Sequence, residues 1–60
     1  MYEVVVLVES VIRDKPDIHG KKTRMCKVGD IIMIYEEYGK WLLTKDGWIH
    51  RYCVERMDCL

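Results

Sequence analysis

The side chains with the widest chemical range in this chain are His19, Cys26, His50, Cys53 and Cys59. As metal ligands they lack the spacing that zinc sites use. No Cys-x-x-Cys or His-x-x-x-His occurs, and Cys53 and Cys59 are too far apart to act as a local pair. As a nucleophile and its base, Cys53 and His50 share no face of a strand, and no oxyanion donor is identifiable beside them. A chain of 60 residues has no room for a deep cleft. The reading is no metal, no cofactor and no enzyme. The odd cysteine count argues against a closed disulfide framework and for free thiols in a reducing compartment.

Recognition is better supplied. Tyr35, Tyr38, Trp41, Trp48 and Tyr52 are many aromatics for so short a chain. Such rings give rigid contact area with a polar handle, which suits peptide binding. Trp41, Tyr52, Trp48 and Tyr38 are the candidate ligand-binding residues; the alternative is that they cap the ends of a small core. Lys15, Lys21, Lys22, Arg24 and Lys27 form a basic cluster. It is either a solvated loop or a phosphate-contacting patch beside rings that stack on single-stranded bases. Ten basic and ten acidic side chains cancel. Long-range attraction to nucleic acid is therefore not built into the total charge, and a nucleic-acid barrel is the second reading.

Strands must position these side chains. Val4–Val8 is an unbroken apolar run in which only Leu7 is not β-branched, which favours a strand. It is expected to be buried, or to pair at its edge with a second copy. Val11–Ile12 continues it or begins another strand. Residues 13–24 hold the only proline and many charges, and are expected to be a long loop with Ile18 as its apolar anchor. In a short strand over 23–28, Met25 and Val28 are expected to face inward. Ile31–Glu37 has apolar residues on both faces and is expected to be a central strand, with Ile32 and Ile34 on one side. Tyr38-Gly39-Lys40 and Lys45-Asp46-Gly47 are hairpin turns flanking strands at Trp41–Thr44 and Trp48–Ile49. His50-Arg51-Tyr52 suits one 3₁₀ turn, Cys53–Glu55 a last strand, and 56–60 a frayed tail. No apolar repeat of helical period is long enough for a helix. Five or so short strands form a useful core only by curling, which favours a small barrel.

At this point the chain resembles a known family. Gly29-Asp30-Ile31-Ile32-Met33-Ile34-Tyr35-Glu36-Glu37-Tyr38-Gly39-Lys40-Trp41 is similar to the G-D-x-v-x-V-x-x-x-x-G-x-W stretch of bacterial SH3 domains. Asp46-Gly47-Trp48-Ile49 and Tyr52-Cys53-Val54 resemble that family's ending, and Val11-Ile12-Arg13-Asp14-Lys15-Pro16 its l-N-V-R-s-G-P-s segment. The Asn and Gly that usually flank that arginine are absent, and the hairpin before Gly47 is shorter than usual. The resemblance covers roughly residues 4 to 55. It implies a five-stranded SH3-like barrel that binds cell-wall peptides or other proteins and rarely catalyses anything alone, with Trp41 and Tyr52 in the aromatic platform of its groove.

The reading is one all-β domain over residues 1–60, its core over about 4–55, acting as a stand-alone protein- or peptide-binding module. Residues 1–9 lack the basic segment and cleavage site of an export signal, and no apolar run is long enough to span a bilayer. A cytoplasmic adaptor is therefore expected, or a small phage or mobile-element protein docking on a host protein. The third reading is a structural subunit self-associating through Val4–Val8.

Overall fold

The computed structural model describes residues 1–57. The fold is all-β, with eight short strands and no α-helix among the described residues. In chain order the strands are β1 (Tyr2–Val6), β2 (Ser10–Arg13), β3 (Lys22–Cys26), β4 (Ile31–Ile34), β5 (Glu36–Tyr38), β6 (Trp41–Thr44), β7 (Gly47–His50) and β8 (Val54–Arg56). One 3₁₀ turn, Arg51–Cys53, lies between β7 and β8. They form two antiparallel sheets, one ordered β4-β1-β8 and the other β3-β2-β7-β6-β5.

The glycines set two of the hairpins. Gly39 has φ +58° and occupies the first position of a two-residue turn closed by Tyr38 and Trp41. Positive φ there matches the right-handed twist of the flanking strands. Lys45 and Asp46 make the second two-residue turn, closed by Thr44 and Gly47. The Thr44 hydroxyl accepts the Asp46 N–H at 3.0 Å, so this buried polar atom is satisfied.

Alternation then places the core. Val4, Val6, Ile12, Cys26, Ile32, Ile34, Leu42 and Ile49 meet between the sheets, with Tyr2 and Val54 packed against them. Ile12, Ile34 and Ile49 come from three different strands and are fully buried. Burial of each contributes roughly 1.5–3 kcal/mol.

The two sheets share one bent strand. Residues 31–38 pair with β1 at one end and with β6 at the other. The change occurs at Tyr35, whose N–H donates to the Leu43 carbonyl at 2.9 Å. N-terminal to that point β4 and β6 make no ladder, so the sheets stay separate and do not close into the five-stranded barrel expected from the sequence.

Other expectations change as well. The strand over Val4–Val8 stops at Val6, and Leu7 and Val8 are exposed. β1 lies between β4 and β8, so it offers no free edge for a second copy. Residues 31–37 are not central: β4 is an edge of its sheet, and its second apolar face (Ile31, Met33) is exposed. Met25 and Val28 face solvent. The register Ser10↔Cys26 and Val11↔Met25 turns Cys26 inward instead. Ile18 is 65% exposed and anchors nothing in the core. The 3₁₀ turn starts one residue later than expected. Arg56 is in β8, and Met57 N–H donates to Glu3 O at 3.0 Å, so the tail is tied down to that point. Cys59 and the rest of the expected frayed end lie outside the described residues.

Candidate binding face

The Lys45–Asp46 turn fixes what stands on the outer face of the five-stranded sheet. Counting back from it, Leu42 pairs with Ile49 inward, while Leu43 pairs with Trp48 and Trp41 with His50 outward. Tyr38 on β5 is opposite Trp41, and Arg13 on β2 is opposite Trp48. The four sequence-predicted aromatics are thus gathered on or beside one face.

They form two ring groups. Trp41 meets His50 edge-on, with centroids 5.1 Å apart and planes at 80°. His50 meets Tyr52 at 5.2 Å and 41°. Tyr38 meets Trp48 edge-on at 6.4 Å. These separations fall in the range where aromatic pairs attract beyond simple area burial. Trp41 and Trp48 are half-buried, whereas Tyr38 and Tyr52 are 66% and 70% exposed.

Two hydrogen bonds fix the turn that carries Tyr52. The His50 Nδ1 accepts the Tyr52 N–H at 3.3 Å, capping the 3₁₀ turn, so His50 acts there as a ring and as a cap. Arg51 N–H donates to Lys40 O at 2.8 Å, tying the same turn to the Gly39–Lys40 hairpin. The residues that bracket Trp41 and Tyr52 are therefore bonded to each other.

A shallow groove of about 290 Å³ runs along one flank of this ladder. Trp41, His50 and Cys53 line it together with Val11, Arg13 and Ile18, and Glu9 and Ser10 complete the lining. Ile18, which fails as a core anchor, thus stands at the groove from the 14–21 loop. That loop is internally bonded. The Asp14 carboxylate accepts Lys21 N–H at 2.8 Å, the Asp17 carboxylate accepts His19 N–H at 2.9 Å, and the Arg13 guanidinium donates to Gly20 O at 2.9 Å.

The predicted basic cluster is distributed differently. Arg24 is paired with Asp46 at 2.7 Å, a contact that raises its affinity for its proton. Lys15 and Lys21 are on the loop, where Asp14 and Asp17 intervene; Lys22 is on β3 and Lys27 follows it. All four lysines are exposed.

Sequence reasoning considered His50 only as a metal ligand or base, and missed it as the ring between Trp41 and Tyr52. The signal was present in the two-residue turn, which fixes the Trp41–His50 register. Arg13, Val11 and Ile18 carried no such signal. Among the described residues no three His, Cys, Asp or Glu side chains converge as a metal site would require. Cys26 is buried and Cys53 half-buried, both as free thiols. Among the described residues no helix is long and apolar enough to cross a membrane. The chain matches no family model, no curated protein and no solved structure.

Proposed function

We propose that this chain is an SH3-like protein- or peptide-binding module working inside the cell, with Trp41, His50 and Tyr52 as its contact ladder. The observation that carries this reading is the contiguous run of those three rings beside a groove. Aromatic anchors with polar tips supply much of the binding energy at protein interfaces, and a rigid platform limits the entropy lost on docking. Tyr38 and Trp48 extend the same face. A single extended segment fits a groove of this size, with apolar side chains against Trp41 and Ile18. The order of the hairpins and the 3₁₀ turn is compatible with the bacterial SH3 resemblance, and the free buried thiol of Cys26 suits a reducing compartment.

The test is peptide selection against the immobilised domain, followed by titration of the selected peptide. A Trp41→Ala, Tyr52→Ala double variant that keeps its fold should lose at least tenfold in affinity. Unchanged affinity would refute the reading. Titration of a single-stranded oligonucleotide at two salt concentrations is the parallel arm. Tight binding there, with a steep salt slope, would move the function to nucleic acid.

A further inference from the structure

The four edge strands of the two sheets are not equally protected. β3 carries Lys22 and Arg24, β5 carries Glu36 and Glu37, and β8 carries Glu55 and Arg56. Charges of this kind are how proteins guard a sheet edge against further pairing. β4 reads Ile-Ile-Met-Ile and has no charge, no proline and no bulge. It is the unguarded edge among the described residues.

Its backbone is poised for pairing. Val6 N–H donates to Asp30 O, and the antiparallel register continues through Val4↔Ile32 and Tyr2↔Ile34. Hydrogen-bonded pairs alternate along such a ladder, so the N–H and C=O of Ile31 and Met33 point away from β1. That is the side on which Tyr35 donates to Leu43. At Ile31 and Met33 no strand among the described residues receives them. They face a cleft of about 360 Å³ between β4 and the Lys45–Asp46 turn. The side chains of Ile31 and Met33 stand 56% and 37% exposed along it.

We propose that this cleft receives an extended segment of a partner protein, added as a strand to the free edge of β4. The cleft is lined on its far side by the chain's own Thr44, Lys45 and Asp46, which suits a single extended segment. The charges around it narrow the chemistry. Arg24 and Asp46 neutralise each other. Glu3 on the apolar wall and Lys45 on the turn make no ion pair among the described residues. The segment therefore alternates apolar anchors with one basic and one acidic side chain. Main-chain bonds to Ile31 and Met33 give affinity, and the alternate side chains give selectivity. This docking is separate from the aromatic face, which lies on the other sheet.

The experiment is amide hydrogen exchange by NMR with a defined probe. The probe is a capped heptapeptide alternating valine and threonine, with a lysine near one end and a glutamate near the other. Exchange at Ile31 and Met33 should slow at least tenfold with peptide, while the Trp41 and Tyr52 signals stay in place. Met33→Pro removes a donor the fold itself does not use, and should abolish the effect. Met33→Lys guards the edge without altering the backbone and should do the same if the proline variant fails to fold. Unchanged exchange at both amides at millimolar peptide would overturn the proposal. Protection present without peptide and lost on dilution would also overturn it, since the occupant would then be a second copy.

Discussion

Gly47 lies directly against Arg13. A Cβ at Gly47 would collide with the Arg13 carbonyl oxygen and stand 3.1 Å from Ile12 Cγ2. Its φ of +131° is also one that side-chain-bearing residues rarely adopt. This contact lets β7 close on β2, and so places Trp48 and His50 on the same sheet as Arg13 and Val11.

Gly47→Ala should therefore be severe. Backbone strain of about 1–3 kcal/mol adds to an overpacking cost of about 1–3 kcal/mol. A domain of this size rarely has more than about 3–5 kcal/mol to lose. Gly39 has φ +58° with open space around it, so Gly39→Ala should cost only about 1–2 kcal/mol. Urea unfolding of both variants measures the difference; equal midpoints would show that β7 does not need the close approach.

The Tyr2 hydroxyl donates to the Glu37 carboxylate at 2.5 Å, joining β1 of one sheet to β5 of the other. The Arg56 guanidinium lies 4.0 Å from the centre of the same ring. Burial first, and then the bond to Glu37 and its negative charge, hold the Tyr2 hydroxyl above its ordinary range. A raised folded-state pKa favours the protonated form in the fold. The stabilisation is thus fully present below about pH 10 and is lost as pH rises through the folded value. Tyr2→Phe should cost about 0.5 kcal/mol near neutral pH, as suits a hydrogen bond at the surface. Above pH 10 the gap between the two proteins in urea midpoint should shrink. A gap that is constant to pH 11 would assign the effect to packing.

How much of this was legible in the sequence follows from where glycine and alternation act. Gly39 and the Asp46-Gly47 pair mark their hairpins because turn geometry selects those residues, and β6 and β7 follow as the strands that flank them. The choice of Cys26 over Met25 as the core residue was not legible. Hydropathy favours neither strongly, and pairing with β2 decides it. A strand was expected over 23–28 and lies at Lys22–Cys26, but it is almost wholly exposed, so no apolar pattern fixed its bounds or its inward face. The two apolar faces of residues 31–37 suggested a central strand, yet they belong to an open edge. In the binding face, Trp41 and Tyr52 were visible by residue type. His50 was hidden because its role depends on a cross-strand neighbour and on a cap.

The two described thiols should behave differently. Cys26 is fully buried, and burial pushes its thiol up, with Arg24 pulling the other way and Asp30 and Asp46 adding to the rise. Thiolate is the reactive form, so Cys26 is disfavoured by both access and ionisation. Cys53 is only half-buried, at the rim of the groove. In a Cys59→Ser background, iodoacetamide should modify Cys53 at least a hundredfold faster than Cys26 at pH 8. Labelling of Cys26 should follow global unfolding. The same raised thiol predicts that its share of stability is present below the ordinary thiol range, about pH 8.5, and fades above it. Mass spectrometry of timed aliquots separates the sites, and equal rates would mean that β3 opens locally.

The last prediction concerns His50. If it only filled space between Trp41 and Tyr52, His50→Phe would preserve both ring contacts and leave the module intact. The cap argues otherwise, because phenylalanine has no acceptor for the Tyr52 N–H. Losing a capping acceptor costs about 0.5–2 kcal/mol, and here the loss falls on the turn that carries Tyr52. His50→Phe should therefore weaken binding of the selected peptide several-fold even with the ring ladder complete. His50→Asn restores an acceptor but removes a ring, so it should recover stability without recovering affinity. Measuring unfolding and titration on the same two variants separates cap from ring. Full affinity in His50→Phe would show that Trp41 and Tyr52 hold their places without it.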